Sequence, residues 1–451
     1  MSLNRRGLMA ATAGLGLLGA TGASAKVPGK ASGKTGAILA PTPPMGWNSW
    51  DSFATTITEA QALDVAHIMA DKLRPHGYDV FTVDIQWYEG GATGFEYSKT
   101  PVPELDGYGR LLPAPNRFPS SAGGHGFKPL ADQIHALGLK FGVHLMRGIP
   151  RLAVDKNLPI LGTALHARDI ANIHSTCPWN PDMYGVDMTR PGAQAYYNSV
   201  FALLASWGVD FVKMDDMSRP YDAHAPEIEA AHKAIGASGR PIILSLSPGE
   251  TPVPRADHVA QYAQMWRISD DFWDDWALLK PQFTRLENWN SHRRPGAWPD
   301  ADMLPLGKLR LGQSDTKFTH DEQRTLMSLW CMARSPLIMG GDLRQLDAWT
   351  LDLLTNDEVL AINQHSSNNQ PHFLADGWNI WTADAAQKGK SYLAIFNTAD
   401  KDGTFSFDLG RIGLKTAAVR DLWAHQDLGS VSGVVTADVP LHGVKVLELT
   451  A

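Results

Sequence analysis

Cysteine is nearly absent from this chain, which holds only Cys177 and Cys331 in 451 residues. So sparse a supply excludes a disulfide-stapled scaffold, and no Cys/His spacing suggests zinc. No glycine-rich loop of the phosphate-binding type is present either. An excess of basic charge is also missing. Forty Lys and Arg stand against 47 Asp and Glu, and the net charge of −7 points to neither nucleic acid nor anionic membrane as a partner. Long apolar runs are lacking too. The stretch from Leu8 to Leu18 is too short and too glycine-rich for a membrane anchor. It follows Arg5-Arg6 and precedes Ala23-Ser-Ala25, the layout of a twin-arginine-type signal peptide over residues 1–25. The mature chain is therefore expected to be exported from a bacterium, periplasmic or secreted and without a membrane anchor. Residues 26–40, rich in Gly, Ser, Lys and Pro, read as a flexible linker.

What remains is ordinary globular composition, 44% apolar and 19% charged, in a chain long enough for two or three domains. Fifteen tryptophans suit a packed core and the walls of a sugar-binding cleft equally well. Strand-like runs recur at Met45 to Trp50, Tyr78 to Asp84, Lys140 to Met146, Val209 to Met214 and Pro241 to Ser247. They continue at Gln264 to Ile268, from Trp298, and at Pro336 to Met339. Helical periodicity lies between them, as at Glu59 to Arg74 and Phe127 to Leu137. Eight strands alternating with helices predict an α/β fold, a (β/α)8 barrel, over 41–364. After Gln364 the pattern turns to short strands separated by turn residues. That predicts a C-terminal antiparallel β-sandwich over 365–451.

Two segments carry the chemistry. Val209-Asp-Phe-Val-Lys-Met-Asp-Asp216 is an apolar strand ending in a lysine and two carboxylates. Barrel enzymes keep their chemistry at the carboxyl ends of strands. Alternation sets Lys213 and Asp215 on one face, with Met214 and Asp216 on the other. A lysine two residues from a carboxylate helps to keep it ionised, as a nucleophile requires. The second segment, Met265-Trp-Arg-Ile-Ser-Asp-Asp-Phe-Trp-Asp-Asp-Trp276, sets four carboxylates among three tryptophans. One ionised and one protonated carboxyl is the requirement of glycoside hydrolysis. A helix start capped by Asp270 or Asp271 is the plain alternative, and it leaves the other carboxylates unexplained.

These motifs resemble those of glycoside hydrolase family 27, the α-galactosidase and α-N-acetylgalactosaminidase family. Pro43-Pro-Met-Gly-Trp-Asn-Ser-Trp50 resembles its first barrel strand. Lys213-Met-Asp215 resembles its Lys-x-Asp nucleophile motif, and Arg267-Ile-Ser-Asp-Asp271 its Arg-x-x-x-Asp acid/base motif. Trp298 to Leu304, Ser335 to Arg344 and Thr355 to Gln364 match the end of the barrel. The resemblance implies an α-galactosidase-like hydrolase of carbohydrate substrates that needs no metal or cofactor. It implies Asp215 as nucleophile and Asp271 as acid/base, with the neighbours Asp216 and Asp270 as the competing assignments. It also implies sugar contacts from Trp50, Asp84, Trp87, Lys213, Ser247, Arg267 and Asp302, with Asp300 structural. Core packing is the alternative for Trp50 and Trp87.

Departures from the family pattern fall on sugar selection. Ile85 replaces the second aspartate of the family's Ile-Asp-Asp-Cys-Trp, which helps to read the axial 4-hydroxyl of galactose. Ser245-Leu-Ser-Pro-Gly249 replaces a Glu-Trp that reads the 2-hydroxyl, so Ser247 or Pro248 stands there. The family's Tyr-Ala-Asp on the third strand becomes His144-Leu-Met, followed by Arg147 and Arg151. Relatives often join a cysteine after the nucleophile to one near the third strand, and here those positions read Met217 and the region of Arg147. α-Galactosidase is the first expectation. α-N-acetylgalactosaminidase, β-L-arabinopyranosidase and isomaltose-releasing activities are the alternatives within the family, and a silent carbohydrate-binding protein is the alternative outside it. The sequence discloses no oligomeric state.

Overall fold

A computed structural model describes residues 38–451. The signal-peptide assignment, and the linker up to residue 37, lie outside the described residues. Eight parallel strands form one curled sheet: β1 Met45–Asn48, β2 Val80–Val83, β3 Lys140–Met146, β4 Phe211–Asp215, β5 Ile243–Leu246, β6 Met265–Arg267, β7 Trp298–Asp300 and β8 Leu337–Met339. The order across the sheet is 7-6-5-4-3-2-1-8, so every neighbour but one follows in sequence. The remaining gap, between β7 and β8, is bridged just past the end of β7. There Leu304 pairs in parallel with Met339, and its N–H donates to the Ile338 carbonyl at 2.8 Å. The result is the barrel that the alternating pattern predicts. All eight predicted strand positions are occupied, most of them trimmed by a residue or two.

Local chemistry sets the ends of the crossing helices. The helix Glu59–Lys72 begins with a capping box in which Thr58 and Gln61 satisfy each other's backbone N–H groups. Thr319 and Glu322 do the same for His320–Ala333. The helix before β4, Ala193–Trp207, stops at Gly208, whose φ of 87° suits a residue without a Cβ. Gly46 in β1 is needed for another reason, since a Cβ there would stand 2.1 Å from the Val80 carbonyl oxygen of β2.

One excursion was not predicted. Between β3 and β4 the chain builds a three-stranded antiparallel sheet from Ile149–Pro150, Ala171–Thr176 and Met183–Val186. Beyond the helix Asp357–His365, a six-stranded antiparallel sheet and a two-stranded one make up the C-terminal domain. Its strands at Ser367–Ala375, Gln426–Ser432 and Val434–Val439 also went unread; Gln426–Ser432 is almost wholly exposed, and Val434–Val439 buries only alternate residues. Both cysteines are buried and unbonded. Among the described residues no helix is long and apolar enough to cross a membrane.

Candidate active site

Register brings the candidate residues together at the carboxyl ends of the strands. His144 on β3 pairs with Lys213 on β4, and Lys213 in turn with Ser245 on β5, so these three stand at one level of the barrel. Met146 pairs with Asp215 two residues further along. Lys213 Nζ lies 2.9 Å from Asp84 Oδ2, which also accepts a hydrogen bond from Asn48 Nδ2 at 2.6 Å. The first, second and fourth strands are thus tied at their tips by one carboxylate.

Asp215 is held by two more donors. His144 Nε2 lies 3.0 Å from Asp215 Oδ2, and the Ser247 hydroxyl donates to Oδ1. Burial alone would raise this carboxyl, but Lys213, His144 and the Ser247 hydrogen bond outweigh it and hold Asp215 well below the usual carboxylate range. The Lys213 ammonium responds in the opposite sense. Burial opposes its charge, yet Asp84, Asp215 and Asp271 keep it firmly protonated.

Asp216, one residue on, has φ of 61° and turns away from the barrel axis. Its carboxylate meets Arg147 Nη2 at 2.7 Å, and Arg147 Nη1 meets Glu227 Oε1 at 2.6 Å. Tyr197 donates to the other oxygen of Glu227 at 2.5 Å. This buried ionic cluster joins the segment after β3, the residue after β4 and the helix Tyr221–Ser238.

Asp271 lies over the opposite rim, its side chain 58% exposed, with Arg267 Nη2 3.2 Å away. Arg267 is buried and also contacts Asp302 at 2.8 Å. Asp302 further accepts from the backbone N–H groups of Phe272 and Met303, both at 2.8 Å. Burial and the nearby Asp271 raise the Asp302 carboxyl despite Arg267. Asp300 is raised to about 7 by burial first and then by Asp302. Asp270 is exposed and paired with Arg219.

Above Asp215 opens a cavity of about 460 Å³, lined by Trp50, Asp84, Ile85, Tyr97, Trp179, Lys213, Asp215, Pro248, Asp270 and Asp271. Trp50 lies parallel to Tyr97, their ring centroids 6.2 Å apart. Such aromatic faces beside a cluster of carboxylates suit a sugar ring, with apolar C–H groups on one side and hydroxyls at the edge.

Several expectations are corrected by this geometry. Trp87 does not reach the cavity. It is fully buried, its indole N–H donates to the His144 carbonyl at 2.8 Å, and its ring packs on Tyr88, Phe127 and Trp207. The core-packing alternative therefore holds for Trp87, while Trp50 lines the cavity. Ser247 is committed to Asp215, and its neighbour Pro248 faces the cavity instead. Asp302 and Arg267 lie beneath the mouth, where they hold each other and the backbone after Asp271. Sequence reasoning missed Tyr97 and Trp179, which come from loops without period. It noted His144 as a departure without seeing its contact with Asp215, although the β3–β4 register carries that information.

Comparison with known proteins agrees with this architecture. The family profile described as alpha galactosidase A matches residues 183–365, and that of the alpha galactosidase C-terminal beta sandwich domain matches 375–449. Alpha-galactosidase 3 of Arabidopsis thaliana is 29% identical over 91% of this chain and 82% of its own length. The structure of a family 27 β-L-arabinopyranosidase from Geobacillus stearothermophilus is 49% identical, with a TM-score of 0.89 over 91% of this chain and 97% of that one. A candidate α-N-acetylgalactosaminidase from Bacillus halodurans is 46% identical, with a TM-score of 0.82 over 92% and 98%. With motifs, barrel, sandwich and these relatives in agreement, the chain belongs to glycoside hydrolase family 27 and is a glycoside hydrolase.

Proposed function

We propose that this enzyme removes terminal β-L-arabinopyranosyl residues from glycans with retention of configuration. In this reading Asp215 attacks the anomeric carbon, and its low pKa keeps it ionised for the task. Asp271, exposed at the rim, protonates the departing oxygen and then takes a proton from water, so two inversions give net retention. Lys213 and Asp84 bind ring hydroxyls at the base of the cavity, and Trp50 carries the ring face.

The observation that carries the choice of sugar is Ile85 in the cavity wall. β-L-Arabinopyranose and α-D-galactopyranose share their ring hydroxyls and anomeric geometry, and differ by the hydroxymethyl arm on C5. In this reading Ile85 lies against C5 rather than the shared 4-hydroxyl, where its apolar side chain offers no acceptor to the hydroxyl of a hydroxymethyl arm and favours the sugar that lacks the arm. The 49% identity to an arabinopyranosidase supports the same choice. α-Galactosidase is the second reading, favoured by Asp84 and by the curated relatives.

The test is kcat/KM on nitrophenyl β-L-arabinopyranoside, α-D-galactopyranoside and α-D-glucopyranoside. Arabinopyranoside should lead, and Ile85→Asp should move the ratio toward galactoside. Preference for the glucoside would overturn both readings, and an unmoved ratio would remove Ile85 from sugar selection. Asp215→Ala should abolish turnover in a folded protein, and near-normal activity there would end its assignment as nucleophile. The leading twin arginine supports export, which replacing Arg5-Arg6 by Lys-Lys should block.

A further inference from the structure

A second cavity, of about 650 Å³, lies away from Asp215. It opens where the chain enters β7 and β8, at Arg293, Arg294 and Arg334, and its other wall comes from the sandwich strands Ser367–Ala375 and Trp378–Asp384. That is the amino end of the barrel strands, opposite the catalytic mouth. Four guanidinium groups line it, those of Arg293, Arg294, Arg334 and Arg411, against a single carboxylate, Asp384. Asp384 is already engaged by Asn368 Nδ2 at 2.7 Å.

The inner two arginines have hydrogen-bond partners but no counter-ion. Arg293 donates to the carbonyls of Asn290 and Asn369 at 3.1 and 2.5 Å. Arg334 donates to those of Asn363 and Ser366 at 2.7 and 2.8 Å and lies over the Trp298 ring. Carbonyl oxygens fill the hydrogen-bonding positions without cancelling the charge. Arg293 is accordingly pushed down to about 10, by burial first and then by Arg334. Arg294 and Arg411 are exposed at the rim, and among the described residues none of the four forms an ion pair. Like charges gathered in a partly desolvated groove are costly until an anion joins them. Guanidinium forks match carboxylate geometry, and the amides and hydroxyls of Gln370 and Ser391 beside them suit a hydroxyl-rich ligand. The volume is that of an ordinary small-molecule site, roughly 300–1,000 Å³, and far exceeds a lone inorganic anion.

We propose that this groove binds the carboxylates of an acidic oligosaccharide, tethering a uronate-bearing glycan on the face opposite the catalytic mouth. The proposal rests on the chain being a glycan-processing enzyme and is independent of which sugar it releases.

The test is titration calorimetry on the full chain with trigalacturonic acid, maltotriose and inorganic phosphate, repeated with Arg294→Ala/Arg411→Ala. Trigalacturonic acid should bind, weaken as salt rises, and lose about tenfold or more in affinity in the double variant. Maltotriose should not bind, and hydrolysis of an aryl glycoside should be the same in both proteins. Absence of trigalacturonate binding, or equal affinity in the double variant, would overturn the site. Phosphate binding as tightly as the trisaccharide would overturn the saccharide ligand. Competitive inhibition of hydrolysis by trigalacturonate would move its binding to the mouth.

Discussion

In the proposed mechanism Asp215 and Asp271 divide the work of catalysis because their surroundings differ so widely. Asp215 sits among Lys213, His144 and Ser247, which favour its ionised form, whereas Asp271 stands at an open rim beside one arginine. We therefore expect the acid limb of the kcat/KM profile that reports the nucleophile to fall below the ordinary carboxylate range. His144→Phe removes one of the groups that depress Asp215 and should move that limb to higher pH while the fold survives. A limb that stays in place would reduce His144 to packing. Asp271→Ala should keep much of its activity on dinitrophenyl glycosides and lose about 10²–10⁴-fold on alkyl glycosides, since only the latter need acid help. Equal losses on both would transfer the acid role to Asp270 or another group. Both carboxylates line the cavity where the family's Lys-x-Asp and Arg-x-x-x-Asp motifs imply them, Asp215 at the end of β4 and Asp271 in the loop after β6. Trp87 misled, since nothing local distinguishes a tryptophan facing a sugar from one that bonds the His144 carbonyl and packs on Trp207. Tyr97 and Trp179 were illegible for the converse reason, as loop residues reach the cavity only through the fold.

At the scale of the element, β4 is anchored at its tip by charge. Arg147 follows β3, Asp216 follows β4, and Glu227 lies on the helix Tyr221–Ser238, so one buried cluster ties three segments. Arg147→Met leaves two buried carboxylates unpaired and should cost roughly 3–5 kcal/mol, measured by denaturant unfolding. A loss within the ~0.5 kcal/mol usual for surface changes would show that the cluster does not brace the strand. The carboxyl end of β7 presents a different electrostatic problem. Asp300 is raised to about 7 by burial and Asp302, so the folded state keeps its proton while the unfolded state releases it. Stability from this group is complete below the ordinary aspartate value, falls as pH rises, and is lost once pH passes about 7. Asp300→Asn, which retains an acceptor for the Asp302 N–H, should flatten the decline in Tm across that window. An unchanged slope would assign the decline to another group, such as Asp51, which burial and Asp302 also raise. Strand positions were readable because buried parallel strands are short, largely apolar runs recurring between helical stretches. The excursion after β3 was not, since it forms short, irregular pairings with an exposed edge strand, Ala171–Thr176.

Across the whole molecule, barrel and sandwich meet through a shared apolar layer. Trp381, Tyr392, Phe396 and Val446 on one face of the C-terminal sheet belong to one continuous cluster with Leu326, Trp330 and the strand–helix layer of the barrel, while the sheet's other face packs within the sandwich. Phe283 meets Phe396 edge to face at 5.1 Å, and Trp276 stacks on His442 at 3.8 Å. Polar ties reinforce the seam: Arg420 grips both oxygens of Glu358, and Asn356 donates to the Leu422 carbonyl at 2.9 Å. The sequence changes periodicity near Gln364, but the seam is illegible there, because its contacts join residues far apart in the chain. A seam that buries apolar residues of both the sandwich sheet and the barrel's helix layer leaves neither part with a complete surface of its own. The full chain should therefore unfold in one calorimetric transition, and a chain ending at His365 should aggregate once Phe283 and the Thr325–Ser328 side of the helix His320–Ala333 lose their cover. Two resolved transitions, or a soluble truncated barrel that still hydrolyses aryl glycosides, would mean that the sandwich is an appendage and that the catalytic mouth is shaped by the barrel alone.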